Sequence, residues 1–210
     1  ERRLPIILKK IKADVFLSTD GFLSLASNIP SVAVIHDINF EHHPKDLKYS
    51  HSKFYRHFFK KYAQKAARIV TVSNYSKKDI CKTYEIEASK IDVSLNGVNP
   101  NFHPIGLQEQ IAIRKRYREG KDYFLFVGAL HPRKNIARLL LAFDQFKSNT
   151  KSRNKLLIVG AKMWWNKDLK TCYENLQHKD DVIFTGRKSM EELKNLYASA
   201  LAFCFVPYFE

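Results

Sequence analysis

The sequence predicts an α/β protein made of two successive domains, each built on a parallel sheet, and three observations carry that expectation. Short continuous runs of apolar, strand-forming residues recur: 31–35 (SVAVI), 123–127 (YFLFV) and 155–159 (KLLIV). Segments with helical spacing separate them, so consecutive strands need crossover connections rather than hairpins. The rhythm pauses near Ile105 and starts again, which divides the chain into 1–105 and 106–210.

Composition narrows the classes. With 45% hydrophobic residues in 210, the chain can bury a genuine core and is not a disordered polyelectrolyte. No apolar run is long enough to span a bilayer, and the start lacks a signal-peptide pattern. The chain opens on Glu1 without a methionine and stops at Glu210 just after an expected strand, as a piece cut at both ends would. Lysine and arginine outnumber acids 36 to 21, a net +15, which calls for an anionic partner: nucleic acid, acidic lipid or phosphorylated substrate. Cys81, Cys172 and Cys204 are widely spaced and odd in number, which fits a reducing compartment better than disulfides or zinc.

Taken in order, residues 4–11 read as the end of an amphipathic helix and 15–17 as a short buried strand followed by the loop 18–21. A helical turn through Leu23 and Leu25 leads past Pro30 to the strand 31–35, which ends at His36-Asp37. A polar loop follows with His42, His43 and Pro44. Its histidines lack the i, i+4 spacing of convergent ligands, so no metal is expected there. Residues 52–68 form a helix with Phe54, Tyr55, Phe58, Phe59, Tyr62, Ala63 and Ala66 at helical spacing and basic residues between them. Such a helix suits a membrane surface or nucleic acid, or simply a core-facing helix with a solvated basic side. The strand 69–72 runs into Ser73-Asn74-Tyr75-Ser76, whose side chains can cap a helix from Lys77 to Tyr84. The half-buried strand 91–95 precedes Asn96-Gly97, the strongest turn dipeptide in the chain; 98–104 is extended and 108–117 a polar helix.

The second half is organised around 123–135, YFLFVGALHPRKN. Gly128 ends a buried strand, a short loop carries Pro132, Arg133 and Lys134, and Asn135 is placed to cap a helix with Ile136, Leu139, Leu140, Ala142, Phe143 and Phe146 on one face. Two adjacent cations therefore sit at the carboxyl end of a strand, just before a helix amino terminus, where the local field favours phosphate. Ordinary turn chemistry with solvated charges would explain that loop in isolation. Then come the strand 155–159 with Gly160, a helix 164–176, the strand 182–185 ending at Gly186-Arg187, a helix 190–198 and a last strand 201–206.

These motifs, in this order, resemble the retaining nucleotide-sugar glycosyltransferases of family 4, whose GT-B architecture pairs two Rossmann-like domains across a cleft. The match runs through IVTVSNYSKKDI, the downstream NGV, VGALHPRKNIARLLLAF, LLIVGAKMWW, VIFTGRKSMEELKNLYASA and VPYFE. The Pro-Arg-Lys-Asn variant is similar to bacterial enzymes of surface-polysaccharide synthesis, many of them mannosyltransferases. The resemblance implies that Arg133 and Lys134 bind the donor diphosphate and stabilise the leaving group, and that His36 lies near the donor sugar. It implies that Gly186 and Arg187 hold the nucleobase, that Asn96 and Gly97 lie near the hinge, that Gly128 and Gly160 belong to the donor side, and that Glu210 is the first acid of a Glu-x7-Glu motif.

In many relatives the first strand of the second domain is followed by Gly-Arg; here Ala129 follows Gly128, so Arg133 must supply that charge. The second acid and the glycine-rich phosphate loops would lie outside these 210 residues, which implies little or no activity for this piece alone. The function so implied is transfer of a sugar from a nucleotide diphosphate sugar, such as GDP-mannose or a UDP-sugar, to a glycan or lipid-linked acceptor with retention of configuration. No cofactor or metal is required if Arg133 and Lys134 neutralise the diphosphate, and no Asp-x-Asp motif occurs. A cytoplasmic location, peripheral on the inner face of the membrane, fits the basic surface. Two other readings stand beside this one: a sugar-nucleotide epimerase of the same fold, and a basic nucleic-acid-binding protein.

Overall fold

The computed structural model describes residues 3–118, 120–161 and 165–209. They form two compact units, one up to Gly97 and the other from Val98 to Phe209. The first unit contains α1 (Arg3–Lys10), β1 (Phe16–Ser18), β2 (Ser31–Val34), α2 (Asn39–His42), α3 (Tyr49–Lys65), β3 (Arg68–Thr71), α4 (Asn74–Tyr84) and β4 (Ile91–Val93). Its four strands lie in the order β1-β2-β3-β4, all parallel. The second unit contains α5 (Leu107–Arg118), β5 (Tyr123–Val127), α6 (Ile136–Thr150), β6 (Lys155–Val159), α7 (Lys167–Glu174), β7 (Val182–Gly186), α8 (Met190–Ser199) and β8 (Ala202–Phe203). Its sheet is also parallel, in the order β7-β6-β5-β8.

Alternation of side chains explains how the second sheet is buried on both faces. Tyr123, Leu125, Leu157 and Val159 point to one face and pack with Leu196 of α8 and Tyr117 of α5. Phe126, Leu156 and Ile158 point to the other and meet Leu139, Leu140 and Phe143 of α6 and Leu169 of α7. Burying a leucine such as Leu140 completely contributes about 2 kcal/mol. Tyr123 is buried without an orphaned hydroxyl, because its OH donates to the Leu196 carbonyl at 2.8 Å. In the first unit Phe59, Tyr62 and Ala63 of α3 pack on Ala33, Ile35 and Ile69, while Lys53, Lys61 and Lys65 stay at the surface.

The start of α8 is fixed by a capping box. Ser189 Oγ accepts the Glu192 amide at 3.2 Å, and the Glu192 carboxylate accepts the Ser189 amide at 3.0 Å. Lys188 Nζ at 3.0 Å and the Tyr117 hydroxyl at 3.2 Å complete that carboxylate's shell. The Ser189 amide first, then Lys188, lowers the Glu192 carboxyl to about 2. A depressed carboxyl stabilises the fold above its ordinary range and loses that effect as pH falls through the folded value. The first turn of α8 is therefore expected to lose protection, measured against the intrinsic exchange rate at each pH, as pH drops from about 4.5 towards about 2, and Glu192→Gln should flatten that profile. An unchanged profile in the variant would contradict this assignment.

Several expectations are corrected. The strand at 15–17 is not buried: Val15 and Leu17 are more than half exposed, because β1 is the edge of the described sheet. No helical turn runs through Leu23 and Leu25; Gly21, at φ +75°, directs the chain into irregular turns that still bury Leu23 against the core. The loop after His36 contains α2 and a 3-10 turn at Pro44–Asp46, started by Asp37, whose carboxylate accepts the Asn39 amide at 2.9 Å. Asn96-Gly97 makes no left-handed turn, since a parallel sheet offers no antiparallel return strand for it to join. Ala142 is exposed rather than on the buried face of α6. The helix expected from Trp164, which lies outside the described residues, begins at Lys167, where Asn166 Oδ1 accepts the Leu169 amide at 2.9 Å. Asn135 does not cap α6 with its side chain; it adopts φ +60° and directs its amide group elsewhere. The last strand shortens to β8, two exposed residues paired with β5. Cys81, Cys172 and Cys204 are free thiols, and burial pushes the last two upward in pKa.

Candidate functional site

The second sheet reverses its strand order once. The chain moves from β5 outward through β6 to β7, then returns with β8 to the opposite side of β5. The order therefore reverses between β5 and β8, and sheets of this kind bind ligands in the crevice at the carboxyl edge of such a reversal. In the first unit, by contrast, the described strands follow one another in a single direction.

Three glycines clear the carboxyl edge of this sheet. The Gly128 amide donates to the Val159 carbonyl and the Gly160 amide to the Gly186 carbonyl, both at 2.9 Å, so the ends of β5, β6 and β7 are laced together. A Cβ built on Gly160 would overlap the Gly128 carbonyl, which makes glycine a requirement there. Gly186, at φ +72°, closes β7 after an irregularity in its pairing with β6, and exposed Arg187 follows it. The structure thus gathers Gly128, Gly160 and Gly186 in one row.

The cation loop adjoins that row. Pro132–Lys134 form a 3-10 turn preceded by His131, whose Nδ1 accepts the Arg133 amide at 3.3 Å. The Arg133 carbonyl accepts the Tyr208 amide at 2.9 Å, and Arg133 Nη1 donates to the Phe209 carbonyl at 3.3 Å. The Lys134 ammonium lies 5.4 Å from the centre of the Phe205 ring, and the Arg138 guanidinium 5.1 Å from that of Tyr208. Both predicted cations therefore face the segment that follows β8, across the mouth of the crevice, and not outward. Phe209 immediately precedes Glu210, which lies outside the described residues. Two fixed positive charges beside the amino terminus of α6 produce a field suited to a di-anionic group.

The remaining candidates belong to the first unit. His36 is exposed at the carboxyl end of β2, where its backbone carbonyl, not its ring, accepts from Thr71 Oγ1 at 3.4 Å. It borders a pocket of about 290 Å³ that also presents Asp20, Asp37 and a floor of Phe22, Phe40 and Tyr55. Asn96 and Gly97 are exposed in an irregular stretch beyond β4. His42, on the polar loop where no metal was expected, meets Asp79 at 2.9 Å.

Sequence reasoning missed His131, Tyr208 and the reach of Asn135, whose Nδ2 donates to the Val206 carbonyl at 3.0 Å. The only hint was that polar residues of the Pro-Arg-Lys loop are followed, some seventy residues later, by the polar and aromatic run PYFE.

Comparison with known proteins bears on both units. A model described as Glycosyltransferase Family 4 matches residues 1–102, and one described as Glycosyl transferases group 1 matches residues 108–210. The O-antigen chain mannosyltransferase RfbU of Salmonella typhimurium is 30% identical over 202 residues, 96% of this chain and 52% of that protein. The O-antigen chain mannosyltransferase B of Escherichia coli is 26% identical over 186 residues, 86% of this chain and 48% of that protein. The chain thus spans about half the length of these curated relatives. Among solved structures, Anabaena HepE in complex with UDP and glucose superposes with a TM-score of 0.75 at 16% identity, covering 96% of this chain and 55% of HepE. WaaG, a glycosyltransferase involved in lipopolysaccharide biosynthesis, gives 0.74 at 18%, covering 98% and 56%.

Proposed function

The chain belongs to the family-4 glycosyltransferases of GT-B fold, and from that premise we propose that it takes part in building a bacterial surface polysaccharide by moving a hexose from a nucleotide diphosphate sugar to a glycan or lipid-linked acceptor, with retention of configuration. The observation that carries this reading is the pair Arg133 and Lys134 held against the segment after β8 at the switch point of the second sheet. The likeness to two O-antigen mannosyltransferases supports mannose as the sugar moved, whereas the UDP held by HepE, a neighbour in fold, supports a uridine nucleotide.

In the step proposed, the bond from the anomeric carbon to the diphosphate oxygen breaks as the acceptor oxygen bonds to that carbon on the same face. The acceptor proton passes to the departing phosphate oxygen. The cations act where negative charge grows, so their interactions are stronger in the transition state than in the ground state, and this raises the rate. They neutralise the diphosphate without a metal ion in this scheme. Gly186 and Arg187 would face the nucleobase, with Gly128 and Gly160 giving the donor close access to backbone; His36 and Glu210 are assigned to the donor sugar, and Asn96-Gly97 to the joint between the units.

No helix among the described residues is long and apolar enough to cross a membrane. The basic side of α3, with Tyr49 and Phe54 exposed beside Lys53 and Lys61, supports a peripheral position on the anionic inner face, where a lipid-linked acceptor would be met from the cytoplasm.

Incubation of the full-length protein with labelled GDP-mannose or UDP-glucose, with and without a lipid-linked acceptor, tests the reading. Labelled glycan of the donor's own anomeric configuration is expected only with acceptor. Free epimer without transfer would favour the epimerase, inverted product would end the retaining assignment, and salt-sensitive oligonucleotide binding with no preference for nucleoside diphosphates would favour the nucleic-acid reading.

A further inference from the structure

Asn135 leaves one local requirement unmet. It adopts the left-handed conformation, φ +60° and ψ +35°, which asparagine takes more readily than other non-glycine residues. Its side-chain oxygen is buried with no hydrogen-bond partner among the described residues. The amide cannot be turned over to cure this, because Oδ1 would then oppose the Val206 carbonyl that Nδ2 now meets at 3.0 Å. Asn135 also lines a pocket of about 220 Å³ together with His131, Asn166, Asp168 and Tyr208. A buried acceptor left without a partner persists where the surrounding structure gains from it.

The gain is visible in what the amide joins. Asn135 ends the cation loop, and Val206 lies in the segment after β8, so the Nδ2 bond ties together the two banks of the crevice. Two further ties run beside it, from the Tyr208 amide to the Arg133 carbonyl and from Arg133 Nη1 to the Phe209 carbonyl. Of the three, the Asn135 bond can be cut by side-chain replacement without removing a cation.

We propose that Asn135 is a positioning residue for pyrophosphate binding: its amide bond to Val206 holds the Arg133-Lys134 loop at the spacing at which both cations meet one diphosphate. This rests on the reading that those two cations take the donor diphosphate. A loose loop could still present each charge, but the cost of ordering it would then fall on the binding step.

Asn135→Gly separates the amide from the backbone, since glycine accepts φ +60° freely while losing the bond to Val206. The full chain is titrated with inorganic pyrophosphate, GDP, UDP and the matching nucleosides, and its unfolding midpoint is recorded. The variant should keep its midpoint, bind pyrophosphate and the preferred nucleoside diphosphate roughly tenfold more weakly, and bind the nucleoside as the wild type does. In hydrogen exchange the Tyr208 amide should exchange faster in the variant. This second measurement reports on the clamp even if binding is weakened by partial unfolding. Wild-type affinity for pyrophosphate in a folded variant, or unchanged protection at Tyr208, would overturn the clamp alone. Failure of the wild type to bind any of the phosphates would overturn the diphosphate reading and the clamp with it.

Discussion

Replacing Lys134 with alanine is expected to weaken binding of the preferred nucleoside diphosphate by roughly 10- to 150-fold, the equivalent of about 1.5–3 kcal/mol for one charge-assisted contact. The Lys134 ammonium has the Phe205 ring beside it, so its loss removes a positive charge and a ring contact while leaving the backbone of the loop in place. Arg133→Ala should cost at least as much, because that guanidinium also donates to the Phe209 carbonyl at 3.3 Å and thereby holds the segment after β8. Arg133→Lys should recover only part of the loss, since an ammonium cannot span two acceptors as a planar fork does. Neither alanine variant removes buried apolar surface, so the thermal midpoint should move little. The pair of results, lost affinity and retained fold, is the signature expected of binding residues. Unchanged affinity in both variants would remove the diphosphate assignment.

Gly160→Ala is expected to act through the fold instead. The new methyl would be built into the Gly128 carbonyl, which is backbone and tied by its own amide to Val159, so neither side can yield without breaking the lacing of β5 and β6. Overpacking of this kind costs about 3 kcal/mol, a fall of roughly 13 °C in the melting of the second unit. The other glycines supply the comparison. Gly186→Ala meets open space but must hold φ +72°, a strain of about 1–2 kcal/mol. Gly97→Ala meets neither obstacle and should be neutral or slightly stabilising. A melting series in the order Gly160, Gly186, Gly97 is thus expected; equal effects at Gly160 and Gly97 would contradict the account of the sheet edge.

Much of the fold could be read from residue types because central parallel strands are buried on both faces and therefore appear as unbroken apolar runs, as in β5 and β6. Edge strands gave weaker signals. Leu17 and Phe203 look like core residues in the sequence, yet both are exposed on the outer strands of the described sheets, because apolar type does not reveal how a strand's neighbours cover it. Ser73 was legible as a helix cap because its role is local: its Oγ accepts the Ser76 amide three residues on at 3.0 Å. Asn135 looked equivalent but was misread, because its partner Val206 is seventy-one residues away and competes successfully for its amide. The cations of the site were legible from their place between a strand and a helix. What they face was not, since the return of β8 beside β5 is a matter of topology and β8 itself is only two residues long.

The central claim is that the mouth of β5 and β8 receives a diphosphate. Calorimetric titration of the full chain with GDP, UDP and ADP, each beside its parent nucleoside, tests it most directly. One nucleoside diphosphate should bind at a single site, far more tightly than its nucleoside and more weakly as salt is raised. Equal affinity for nucleoside and diphosphate, or no binding of any of the three, would contradict it.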